Sequence, residues 1–281
     1  MAGNIKRIFR LYGLYAKMDW LLLSRDMRTG LLYIFSDWIS AVASVMGIAL
    51  LAVRFEGIGE LSADEVLWML GFFTMADGFT MMMMGNCNNL WISRVVGRGQ
   101  VDHMLIQPIP LWMQLLTGGF LPFTGSSGFL TGVALTVIAT VRLGLVVTPG
   151  WLLLLLTYML ARVAVATGVA YLAGTAAFYR PVSCEELSTV ALDALNAAGK
   201  YPLAALPVWA QGLFLTALPV GLMAYLPSLL LLGRIDAPAA YVWPVAAGAA
   251  FLSLAGWLFR KGLKHYARYG CPRYKAMGFR N

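Results

Sequence analysis

Charge is scarce in this sequence. Only 12% of its 281 residues are charged, against about 25% in an ordinary soluble domain. Hydrophobic residues make up 60% and the mean hydropathy is +0.73. A water-soluble fold of this size cannot bury so much apolar surface, so the soluble classes are excluded. The apolar runs are unbroken rather than alternating, which excludes a β-barrel and predicts an all-α integral membrane protein. Cysteine and histidine are also scarce. Three cysteines (Cys87, Cys184, Cys271) without CxxC spacing, and two histidines, predict neither a disulfide framework nor a metal site. Nucleotide signatures are missing. Ala198-Gly199-Lys200-Tyr201 lacks the upstream glycine and the Ser/Thr of a phosphate loop, and Gly97-Arg98-Gly99-Gln100 has no strand–helix context. No HExxH, GxSxG or intramembrane carboxylate pair points to an enzyme. Any ATP hydrolysis must come from another chain.

What charge there is sits at the two ends. The net charge is +8. Lys6, Arg7, Arg10, Lys17, Arg25 and Arg28 cluster at the start, and Arg260, Lys261, Lys264, Arg268, Arg273, Lys275 and Arg280 at the finish. By the positive-inside rule both termini are cytoplasmic, which demands an even number of spans. Anionic lipid head groups account for these clusters. No aromatic-interleaved basic groove argues for nucleic acid.

Hydropathy predicts a single transmembrane domain, with an interfacial segment (1–30), six spans (31–259) and a basic tail (260–281). Within the first segment, residues 5–17 place Ile5, Ile8, Phe9, Tyr12 and Ala16 on one helical face, as in a helix lying in the inner interface. The spans run roughly over 31–53, 66–84, 112–141, 151–178, 202–222 and 240–259. The third carries Pro122 as a kink and Gly128 and Gly132 as a GxxxG packing face, and the fourth a small-residue stripe of Ala166, Ala170 and Gly174. The acidic connection with Glu56, Glu60, Asp64 and Glu65 suits the outer side. Ser183 and Glu186 form an S-x-x-E capping box opening an interfacial cytoplasmic helix that ends before Pro202. Residues 224–232 read as a re-entrant segment before the last span. Trp68, Trp151 and Trp243 fall at outer ends and Trp91, Trp112 and Trp257 at inner ends, as an aromatic belt would.

Between the second and third spans lies a polar island, residues 91–110, carrying Arg94, Arg98, Asp102 and His103. Gly97 and Gly99 break the incoming helix. Asp102 then caps a short new one that stops before Pro108 and Pro110. The island reads either as an ordinary loop or as a handle for a cytoplasmic partner. Three ionisable residues fall within the apolar runs. Asp77 and Arg162 lie at comparable depths and suit either a structural ion pair or a substrate path, and Asp37 lies near the inner end of the first span. Met81 to Met84 point all round a helix, which favours adaptable packing over a copper path.

The stretch Gly99-Gln-Val-Asp102-His-Met-Leu105-Ile-Gln-Pro108 resembles the segment after the second span of type-2 ABC (ABC-2) export permeases, in their six-span bacterial subfamily. Tyr201-Pro202, Leu218-Pro219 through Tyr225-Leu-Pro227 to Gly233, and Phe259-Arg-Lys-Gly262-Leu-Lys-His-Tyr266 are similar too, in the same order. The sequence departs at Gln107, where a basic residue is usual, and at Cys271-Pro272. The resemblance implies a permease of the bacterial cytoplasmic membrane that pairs with a second permease, identical or related, and with an ABC ATPase holding the ATP and magnesium. Arg98, Val101, Asp102, His103, Met104, Leu105 and Gln107 would form the coupling helix on that ATPase, with residues 184–200 as a second contact. Pro219, Tyr225 and Pro227 would belong to an outer gate, and the N-terminal helix would be a connecting helix that moves with ATP-driven closure. Cargo in the family ranges over drugs, antibiotics, peptides and lipid-linked glycans.

The outer connections are short, so no extracellular cargo domain is expected. Mostly apolar spans favour a hydrophobic or amphipathic small molecule, and Asp77 and Asp37 with abundant aromatics suit a cationic one. The rival readings are a proton-coupled secondary transporter using Asp77 and Asp37 without an ATPase, a lipid- or glycan-exporting permease, and a membrane-embedded enzyme or assembly factor.

Overall fold

A computed structural model describes residues 2–85 and 90–270. Cys87, Cys271, Arg273, Lys275 and Arg280 therefore lie outside the described residues. Helix α1 (Ala2–Arg25) turns at Asp26 into α2 (Met27–Arg54), and the Asp26 side chain caps α2 by accepting from Thr29 N–H. A hairpin of β1 (Gly57–Ile58) and β2 (Leu61–Ser62) reverses the chain. Its turn needs positive φ at Gly57 and Gly59. Helix α3 (Ala63–Met84) follows, and then come two short helices, α4 (Ile92–Gly97) and α5 (Val101–Leu105). Next are α6 (Leu111–Thr117), α7 (Ser127–Arg142) and α8 (Pro149–Gly174), which a 3-10 turn extends to Phe178. The last four are α9 (Leu187–Gly199), α10 (Val208–Leu215), α11 (Tyr225–Leu231) and α12 (Pro238–Tyr269). Among the described residues four helices are long and apolar enough to cross a membrane: α2, α3, α8 with its extension, and α12.

Helix α3 is the axis of the core. Its Trp68, Met69, Leu70, Phe72 and Phe73 are all almost fully buried. Gly71 abuts Thr136, Gly78 abuts Phe129, and Gly132 abuts Met75, so α3 and α7 run antiparallel with their backbones in close contact. The GxxxG expectation is met on this face. Contacts also fix the remaining directions. Trp68 meets Trp151 and Arg162 meets Asp77, so α8 runs parallel to α3. Gly248 meets Ala161 and Gly262 meets Phe178, so α12 runs parallel to α8. Ser188 bonds Ala170 and Asn196 bonds Arg162, so α9 runs antiparallel to α8.

Several expectations are corrected. The third span is not one kinked helix but α6 and α7 separated by the non-helical residues 118–126. Gly119 packs on the Met84 backbone there, a position that a continuous helix with larger residues could not take. The fifth span over 202–222 is not a helix either. Pro202 and Pro207 precede and Pro219 begins separate short pieces, because proline lacks the N–H that would carry a helix through. Helix α9 buries a side expected to stay free of protein. It packs along α8 with Ser188, Leu192, Leu195 and Gly199 buried, while Val190 is exposed. The Ser183–Glu186 box does not form, because Arg94 holds Glu186 and α9 starts with no side-chain cap. The box that does form joins Ser62 and Glu65 at the start of α3. Trp68 is core rather than belt, fully buried and donating to Thr140 Oγ1 at 3.0 Å. The last helix continues ten residues past the predicted end, so part of the basic tail is helical.

Candidate functional site

Within the bundle a cavity of about 310 Å³ is lined from α2 by Tyr33 and Asp37, from α3 by Phe73 and Asp77, and from the α9 region by Asn196 and Lys200. It reaches Gly85 and Trp91, at the end of the bundle where α4 and α5 lie. Asp77 is the hinge of its chemistry. Arg162 Nη2 donates to Asp77 Oδ1 at 2.6 Å and to Asn196 Oδ1 at 3.1 Å, and Nη1 donates to Thr80 Oγ1 at 2.8 Å and Ala76 O at 3.1 Å. The Phe73 ring lies 5.1 Å from this guanidinium and 5.7 Å from the Lys200 ammonium. A buried guanidinium needs this many acceptors to offset its desolvation. That need explains why Asn196 turns inward from α9 to accept from Arg162.

The Asp77–Arg162 pair expected from depth alone is thus present. Arg162 stands behind Asp77 rather than on the cavity wall. Asp37 lines the same wall and accepts from the Ser127 hydroxyl.

At the end of the bundle beside Trp91, a second core of Val95, Val96, Val101, Met104, Phe178, Phe259 and Tyr266 seats the predicted knob. Val101 and Met104 are buried anchors, whereas Asp102, His103, Leu105 and Gln107 are exposed. Asp102 is not the cap. Gln100 holds that position, with no side-chain bond. Gly97 and Gly99 do end α4, Gly99 with φ of 71°. Two ion pairs brace the mount: Arg98 Nε to Glu185 and Arg94 Nη2 to Glu186, each at 2.7 Å. Gln114 Nε2 ties α6 to the knob, donating to Met104 O and Ile109 O at 2.7 Å each.

The N-terminal helix is strapped along the same region. Arg7 donates to Pro108 O, Tyr12 to Leu116 O, and Asp19 accepts from Phe123 N–H, Thr124 N–H and the Thr124 hydroxyl. Asp19 is 1% exposed. The packed face of α1 is Ile8, Tyr12, Ala16 and Asp19, while Ile5 and Phe9 are exposed. Sequence reasoning missed Asp19, and a lone acid inside an apolar heptad was the available signal. Pro219, Tyr225 and Pro227 are all buried. Tyr225 lines a separate 370 Å³ pocket with Glu60 and Arg234.

A bundle of long apolar helices with a polar cavity inside and a braced polar knob at one end defines a multi-pass membrane protein of the permease class. A family model described as "ABC-2 family transporter protein" matches residues 38–270. The chain belongs to that family and is the non-catalytic membrane component of an ABC transporter, which works with an ABC ATPase. Neither the curated proteins nor the solved structures yield a match.

Proposed function

We propose that this permease exports a hydrophobic or amphipathic small molecule, with a cationic group favoured, by way of the central cavity. In this reading the chain crosses the bacterial cytoplasmic membrane six times. The third crossing is α7 completed by residues 118–126 and α6, and the fifth is α9 completed by 200–206. Both termini are cytoplasmic. The alternating directions of α2, α3, α7, α8, α9 and α12 support this count. So does length, because α7 alone spans about 24 Å against a hydrocarbon core of ~30 Å.

The observation that carries the cargo reading is the cavity wall itself, where Asp37 and the open side of Asp77 face one space with Tyr33 and Phe73 and outnumber the one lining cation, Lys200. The cytoplasmic ATPase docks on Asp102, His103, Leu105 and Gln107, with Arg98 bracing the knob. A second permease subunit completes the pathway. Pro219, Tyr225 and Pro227 belong to its outer closure. In this reading the 184–200 segment meets the ATPase only at its start near Glu186, because α9 crosses the membrane.

The test is transport in proteoliposomes with and without the ATPase. Efflux of a cationic dye is expected only with ATPase and ATP. Asp37→Asn, which keeps the bond to Ser127, should reduce cation efflux several-fold and leave a neutral dye unchanged. Co-purification of the ATPase should be lost when Asp102 to Leu105 are replaced. Efflux by the permease alone, abolished by an uncoupler, would favour the proton-coupled reading instead, and a preference for lipid-linked cargo would favour the glycan exporter.

A further inference from the structure

A second concavity, sharing no lining residue with the central cavity, lies between α6, α8 and α12. Its volume is about 590 Å³, and its walls are apolar, among them Trp112, Leu116, Leu160, Leu252 and Phe259. The groove follows α8 from Leu160 to Tyr171 and α12 from Leu252 to Leu263. The two stretches are staggered, because Gly168 meets Phe251 and Gly262 meets Phe178, so the groove runs about 28 Å from Leu160 on α8 to Leu263 on α12, room for a whole acyl chain. Arg260 is the one charged residue in the lining; it is exposed, makes no ion pair among the described residues, and is followed one turn later by exposed Lys264. An apolar slot with a free guanidinium and an exposed lysine towards its α12 end has the charge complement of a lipid phosphate.

We propose that this groove is a binding site for an anionic phospholipid of the inner leaflet, its acyl chain between α6, α8 and α12 and its phosphate on Arg260. The lipid is a resident ligand, not cargo. It packs beside α6, which Gln114 ties to the knob, so its occupancy bears on how firmly the knob is held. The orientation proposed above serves only to name the leaflet.

The test is native mass spectrometry of the delipidated permease in detergent, titrated with dioleoyl phosphatidylglycerol or dioleoyl phosphatidylcholine. Binding in detergent is blind to membrane orientation, so failure here is separable from failure of the topology. One phosphatidylglycerol per chain should bind about fivefold more tightly than phosphatidylcholine. Arg260→Gln should abolish that preference and keep weak binding of both lipids, and Arg260→Lys should retain it. A Cβ at Gly256 meets nothing within 4 Å, so Gly256→Leu fills the groove without a backbone clash and should reduce retention of both lipids at least tenfold. Equal phosphatidylglycerol affinity in wild type and Arg260→Gln overturns the proposal. So does undiminished retention in Gly256→Leu, or a change of oligomeric state in that variant, which would assign the groove to a second copy. If Gly256→Leu does not assemble, the Arg260 series decides alone.

Discussion

Asp77 places a carboxylate oxygen 2.6 Å from Arg162 Nη2, yet the two side chains are unequally buried, Arg162 at 0% and Asp77 at 30% exposure. The pair is therefore asymmetric. If Asp77 is removed, the guanidinium stays in the core with only neutral acceptors. If Arg162 is removed, the carboxylate can still reach water in the cavity.

Asp77→Ala is expected to cost about 3–5 kcal/mol, the range for stranding a buried charge, and Arg162→Leu less. The double variant should cost less than the sum of the two. A double-mutant cycle by denaturant unfolding in detergent measures this. A larger cost for Arg162→Leu than for Asp77→Ala would show that exposure does not govern the pair.

The N-terminal helix should be held chiefly by one buried carboxylate. Asp19→Ala leaves the N–H groups of Phe123 and Thr124 without their acceptor, and each such loss typically costs about 1–3 kcal/mol. The effect should be local, because the N–H groups of Phe123 and Thr124 have no backbone acceptor among the described residues to fall back on. Faster amide hydrogen exchange in 118–126, with little change in α8 or α12, is the expected result. Asp19→Asn, which keeps an oxygen acceptor, should fall between wild type and Asp19→Ala.

The sequence disclosed features that depend on one element at a time and hid those that depend on two. Uniform apolar runs mark α2, α3, α8 and α12 because a long membrane helix satisfies its own backbone. The break at 118–126 was invisible for the opposite reason, since two of its N–H groups, on Phe123 and Thr124, are met by Asp19, about a hundred residues away. The two S-x-x-E patterns make the same point. Ser62–Glu65 forms the box, with Glu65 also taking Arg234 at 2.6 Å, whereas Glu186 is taken wholly by Arg94. Asp77 and Arg162 were pairable by depth, but Asn196 joined them only because α9 packs along α8. The knob was legible because its glycines and prolines are local punctuation. Its buried anchors, Val101 and Met104, were not separable from its exposed residues before Phe178 and Tyr266 were seen against them.

Glu186 provides a pH prediction of definite sign. Hydrogen bonds from Arg94 hold its carboxyl below the usual carboxylate range. A lowered folded value means the brace contributes fully above the unfolded pKa, about 4.3 for a glutamate, and is lost as pH falls through the lower folded value. Through this group, stability should be flat from neutral pH down to mildly acidic pH and decline only below that. Glu186→Gln should remove that acid-side decline while lying below wild type at neutral pH. Melting temperatures of both proteins across the acid range measure the difference.

The knob divides into residues that hold it and residues it presents, and substitutions should sort the same way. Val101 at 1% and Met104 at 7% exposure anchor it, whereas Leu105 at 46% and Ile106 at 82% stand out beside Asp102 and His103. A large exposed aliphatic side chain on a braced mount is the kind of residue that dominates an interface when a partner covers it. Ile106→Glu should therefore weaken ATPase association by about 2 kcal/mol, roughly thirtyfold, at unchanged permease stability. Gln114→Ala should do the reverse, because it strips the carbonyls of Met104 and Ile109 of their donor and costs about 1–3 kcal/mol of stability. Association should fall only so far as the mount loosens. Quantitative pull-down of the ATPase beside permease melting temperatures separates the two effects. If Ile106→Glu lowers the melting temperature and leaves the pull-down intact, the exposed ridge is packing surface, and the ATPase contact must be sought elsewhere on this end of the bundle.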